Sequence, residues 1–77
     1  MLSKSLKDYQ IVLSSDVHEK DGIGIEVWFE EEILIEIFRD DKKENYTITL
    51  FVKSLPLELI EESIQYFKKE IPREFQK

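Results

Sequence analysis

Cysteine is absent from this chain. Disulfide staples and thiolate metal sites are thereby excluded, and the fold must be held by its core alone. Long apolar runs are absent too. Nothing approaches the roughly 18 consecutive apolar residues of a membrane span. The N-terminus, Met1-Leu2-Ser3-Lys4-Ser5-Leu6-Lys7-Asp8, carries two lysines with no apolar run behind them, which does not read as a signal peptide. There is no linker, internal repeat or low-complexity tract among the two glycines and two prolines. Basic charge is in deficit, with 11 Lys and Arg against 17 Asp and Glu and a net charge of −6. A protein that neutralises phosphates needs a basic footprint, so nucleic acid is excluded as a partner and an anionic membrane disfavoured. The expectation is a cytoplasmic protein whose acidic surface serves solubility or a basic protein partner.

Seventy-seven residues make one small domain, 1–77, with frayed ends at 1–8 and 73–77. Inside it, three stretches alternate apolar and polar side chains: residues 23–29, 33–38 and 46–52. Period two is the mark of a half-buried strand. Ile23, Ile25, Val27 and Phe29 share one face of the first; Ile33, Ile35 and Ile37 one face of the second. Tyr46, Ile48, Leu50 and Val52 share one face of the third. Residues 9–13 are β-prone and make a further strand. Residues 14–21 read as a turn, 30–32 as a connector without apolar residues, and 39–45 as a solvated charged turn.

The period then changes. Leu57, Ile60, Ile64, Phe67 and Ile71 recur at spacings of three and four, one face of a helix. Ser54 is placed to cap its start, with Pro56 near the first turn. Glu58, Glu61 and Glu62 crowd that end and Lys68 and Lys69 the other, both favourable to the helix dipole. Pro72 ends it. The fold class is α+β: an antiparallel β-meander of three to four strands, with one C-terminal helix packed on its aliphatic face in two layers.

Register follows from the pattern. Val27 facing Ile35, Ile25 facing Ile37, Ile35 facing Leu50 and Ile37 facing Ile48 match every aliphatic side. A slip of one residue would bury Glu36. The outer face then falls into three cross-strand rows: Trp28–Leu34–Phe51, Glu26–Glu36–Thr49 and Gly24–Phe38–Thr47. The first is an apolar patch, and Phe38 is expected to lie over Gly24. Glu26 opposite Glu36 sets like charges across the sheet, which destabilises unless both splay into water or a cation sits between them. The partner-binding candidates are Trp28, Leu34, Phe38, Phe51, Glu26 and Glu36. The patch is a docking surface, a homodimer contact, or a surface covered by residues 1–7 through Leu2 and Leu6. A meander also leaves two edge strands open to pairing with another chain, with Lys53 and the charged loops as weak protection.

No constellation for chemistry survives. Asp16, His18, Glu19 and Asp21 share a loop and are of ligand type, but their spacing fits no metal-binding loop. Gly22-Ile23-Gly24 leads into a strand, without the helix N-terminus that phosphate binding needs. Ser14 and Ser15 near His18 have no oxyanion hole, and Glu26 with Glu36 stand on an open face where nothing excludes water. Asn45-Tyr46-Thr47 has the form of a glycosylation sequon but reads as a turn leading into a strand. No cofactor and no catalysis are expected. The function class is a small acidic interaction domain, of inhibitor or immunity type, that masks a basic partner. The alternatives are a homodimeric structural domain and a small ligand- or metal-binding module at residues 16–21.

Overall fold

The computed structural model describes residues 8–16, 22–72 and 74. The ends expected to fray lie outside them, apart from Asp8 and Glu74. Four strands, β1 (Gln10–Asp16), β2 (Gly22–Phe29), β3 (Glu32–Asp40) and β4 (Asn45–Leu50), precede one helix, α1 (Leu57–Glu70). The strands form one antiparallel sheet in the order β1-β2-β3-β4. This is the α+β meander with a single C-terminal helix that the change of period implies. Among the described residues no helix is long and apolar enough to cross a membrane.

The register matches the alternation. Val27 pairs with Ile35, Ile25 with Ile37, Ile35 with Leu50 and Ile37 with Ile48. β1 adds Ile11 opposite Val27 and Leu13 opposite Ile25. Strand ends differ from the expected ones: Ser14 and Ser15 belong to β1 rather than to a turn, and β4 ends at Leu50 rather than at residue 52.

The β2–β3 connection holds the largest departure. Phe29 pairs with Glu32, so the hairpin loop is Glu30-Glu31 alone, with Glu30 in the left-handed region at φ 58°. The shorter loop leaves β3 one residue long against β2. The excess is taken up as a bulge: the register shifts between Val27 and Trp28, and Trp28 pairs with Ile33. Leu34 is the residue left without an opposite, and a bulge breaks strict alternation. Leu34 and Ile35 are both buried in the core cluster.

α1 begins where proline allows. Pro56 is its N-cap, extended at ψ 137°, and its carbonyl accepts the N–H groups of Leu59 and Ile60 at 3.1 and 3.3 Å. Ser54 does not cap: α1 has no side-chain cap hydrogen bond. Proline also biases the preceding residue towards extended backbone, which carries Ser54 away from the first turn. At the other end Ile71 is extended (φ −109°, ψ 122°), the conformation favoured before Pro72.

The core joins Ile25, Val27, Leu34, Ile35 and Ile37 from the sheet to Leu59, Phe67 and Ile71. Ser63 is fully buried beside them, its hydroxyl donating to the Leu59 carbonyl at 2.7 Å, so its polarity is satisfied within the helix. A helix with its side chains is about 10–12 Å across, and four strands at about 4.8 Å spacing make a sheet roughly 19 Å wide. One helix therefore covers the middle of the face and not its flanks. The row Leu13–Ile25–Ile37–Ile48 shows this directly, with exposures of 68%, 0%, 4% and 49%.

The solvated turn expected at 39–45 is found at residues 42–44, but its first part, Arg39-Asp40-Asp41, is a buried anchor. Arg39 and Asp40 end β3, and Arg39, Asp40 and Asp41 are all buried. The Arg39 guanidinium binds Asp41 through two bonds, Nε to Oδ1 at 2.8 Å and Nη2 to Oδ2 at 3.2 Å, and gives Nη1 to the Pro72 carbonyl at 2.7 Å. It ties the end of α1 to the end of β3. A bidentate buried pair is costly to break singly, because the partner is left charged and unsatisfied. Arg39→Ala should cost about 3–5 kcal/mol in urea denaturation, and Arg39→Met combined with Asp41→Leu should recover most of that loss. A single substitution costing under about 1 kcal/mol would show that the pair does not hold the helix end.

Candidate functional site

The six residues picked from the sequence do not form one exposed patch. Leu34 is in the core cluster. Phe38 is 1% exposed. Its ring lies against Gly22, where a Cβ would come within 2.9 Å of Cε2, and the Phe38 Cα lies 2.7 Å from where a Gly24 Cβ would stand. The ring expected over Gly24 thus lies against Gly22 instead, and what Gly24 meets is the backbone of Ile37 and Phe38. Trp28 is half-buried, and its indole N–H donates to Glu26 Oε1 at 3.0 Å. Phe51 is the member of the apolar row that is well exposed, at 50%. Its N–H donates to the Leu34 carbonyl at 3.0 Å.

Glu26 does stand opposite Glu36, with Val12 and Thr49 completing the row. Each carboxylate accepts from a neutral donor: Glu26 from the Trp28 indole N–H, and Glu36 from the Ser14 hydroxyl at a long 3.5 Å. Both acids are half-buried.

A strip of exposed apolar side chains lies elsewhere, on the β4 flank of the helix-covered face. Alternation puts Tyr46, Ile48 and Leu50 on the helix-covered face, yet all three are exposed. Beside them a groove of about 220 Å³ runs between α1 and β4, lined by Ile37, Tyr46, Thr47, Ile48, Ile64, Phe67 and Lys68. The Tyr46 ring closes one end against Phe67, edge to face with centroids 6.2 Å apart. Leu57 stands exposed in the first turn of α1. Tyr46, Thr47 and Lys68 are the polar residues of an otherwise apolar lining. On the opposite flank a second hollow, about 280 Å³, is lined by Ile11, Leu13, Ile25, Tyr66 and Glu70.

β4 is also an edge, as the meander order requires; among the described residues it pairs with β3 alone. Neighbouring residues of an antiparallel strand point their backbone groups in opposite directions. Since the Phe51 N–H faces β3, the N–H and C=O groups of Ile48 and Leu50 face away from it. The flank thus offers backbone donors and acceptors along its rim and an apolar channel behind them. That is the surface onto which a further strand adds. The alternation could not reveal it, because period two says which side chains share a face and not whether anything lies over them. The helix width set against four strands is the signal that could have found it.

The remaining sequence candidates lie apart from this flank. His18, Glu19, Asp21 and the Asp16 side chain are outside the described residues, as are residues 1–7 with Leu2 and Leu6. Among the described residues no group of three or more His, Asp or Glu is placed to hold a metal ion. Gly22 and Gly24 are strand residues, Gly22 against the Phe38 ring and Gly24 against the backbone of Ile37 and Phe38.

The opposed acids give a direct check on the outer face. Glu36→Gln should raise stability by about 0.2–1 kcal/mol at low salt, with the gain shrinking as ionic strength rises. Urea denaturation in 10 mM and 500 mM salt reads both effects, and a loss of stability would mean that Ser14 and Trp28 already offset the repulsion. Compared with known proteins, the chain matches no family model, no curated protein and no solved structure.

Proposed function

We propose that this protein is a small non-enzymatic interaction domain that takes its partner on the β4 flank, along the strand edge and the α1–β4 groove. The observation that carries the reading is the placement of Tyr46, Ile48 and Leu50, all exposed, at alternate positions of one edge strand beside the groove. Exposed apolar side chains scattered singly need no explanation, whereas a contiguous strip beside a groove is the usual mark of a binding surface. Backbone groups on the same edge that face no strand among the described residues strengthen it, because an edge of this kind is ordinarily blunted by charge, proline or cover. β4 has none of the first two: its sequence is Asn45-Tyr46-Thr47-Ile48-Thr49-Leu50. The absence of cysteine suits a reducing compartment such as the cytoplasm.

Masking of a basic partner through the outer face is the second reading, supported by the net charge of −6 and by Glu26 opposite Glu36. It has fewer anchors than the sequence suggested, since Leu34 and Phe38 are buried and Trp28 is engaged with Glu26.

Site-specific photo-crosslinking in living cells separates the two. A benzophenone side chain at position 48 should give a discrete adduct, identified by mass spectrometry, while the same group at position 26 gives none. Adducts from position 26 alone would move the docking surface to the outer face.

A further inference from the structure

Resting on that reading, we infer that the occupant of the β4 flank is an extended segment of another protein, with apolar side chains at alternate positions and carboxylates at both ends. Charge argues for it. β4 itself carries no charged residue. Lys42 and Lys43 stand in the turn before it, Lys53 follows it, and Lys68 lines the groove; all four are exposed. Between residues 42 and 53 there are three lysines and one glutamate, in a chain whose net charge is −6. An acidic protein therefore keeps a basic border around its apolar edge, where complementary charge selects the partner and speeds the encounter.

The geometry fixes the form of the segment. Backbone groups of Ile48 and Leu50 face the open edge, so an added strand lies beside β4 at the usual spacing of about 4.8 Å. Its alternate side chains then fall on the helix side, next to Ile48 and Leu50, and extend the apolar layer between β4 and α1. β4 is six residues long, so the segment needs about five residues of alternation. Its acidic ends then reach Lys42 and Lys43 at one end and Lys53 at the other. Lys68, in the groove, takes a further carboxylate.

A second copy fits less well. In the antiparallel register that sets Ile48 against Ile48 and Tyr46 against Leu50, Lys43 of one copy comes opposite Lys53 of the other. Like charges so opposed destabilise the pair.

Fluorescence anisotropy with two labelled peptides tests the inference on the full chain: Glu-Ile-Thr-Val-Thr-Ile-Glu and Lys-Ile-Thr-Val-Thr-Ile-Lys. The acid-ended peptide should bind about tenfold more tightly at low salt, and the gap should narrow as salt rises. N-methylation of its alternate amides should abolish binding. The double variant Lys43→Glu with Lys53→Glu, checked for fold by circular dichroism, should reverse the preference. Equal affinity, or preference for the lysine-ended peptide, overturns the inference and leaves the flank as a binding surface. If neither peptide binds and sedimentation finds a dimer that Ile48→Lys dissociates, the flank belongs to a second copy. If neither peptide binds and the chain is monomeric, both the inference and the reading beneath it fall.

Discussion

The seam where α1 meets the two middle strands organises the rest of the molecule. Ile25, Val27, Ile35 and Ile37 present an aliphatic floor, and Leu59, Phe67 and Ile71 close over it, with buried Ser63 among them. Because the seam is one helix wide, it sorts the sheet into a dry centre and two wet flanks. Residues of identical chemistry on one row therefore have opposite fates. Ile37 is core and Ile48, its pair, is surface. The position of the helix, not the hydrophobicity of the residue, decides which is which.

That position is held at both ends by specific devices. At the start, the Pro56 carbonyl closes the first turn by accepting from Leu59 and Ile60. At the finish, Arg39 reaches from β3 to the Pro72 carbonyl while Asp41 holds its guanidinium. A buried ion pair contributes little net stability against a well-packed apolar alternative, but it tolerates few geometries. Here it sets where the helix ends relative to the sheet.

Much of the fold was legible because carboxylates alternate with the aliphatic residues. Glu26 and Glu36 cannot be buried, so the pairings of Ile25 with Ile37 and Val27 with Ile35 follow without any structural information. Legibility failed where the residues carry no such contrast. Glu30, Glu31 and Glu32 are identical, and nothing in them says which one starts β3. The contraction of the loop, and with it the bulge that buries Leu34, was therefore invisible. The charged run at 39–41 failed for a different reason. Arginine and aspartate read as solvated until a third group, the Pro72 carbonyl, is brought to them by an element 33 residues away. The candidate site suffered most, because coverage is a matter of area, and an apolar pattern has no term for the width of what lies above it.

The order of the elements has a bearing on how the chain comes to be folded. Every strand pairs with its neighbour in sequence, so the sheet assembles from local hairpins, the kind of contact that forms quickly. Its lid comes from the segment that follows. During synthesis at roughly 5–20 residues per second, the four strands leave the ribosome before residues 57–70 do. For that interval the whole aliphatic floor is bare, not only the strip beside β4. The nascent sheet is most adhesive just before α1 arrives, and the helix acts first as its chaperone and only then as its roof.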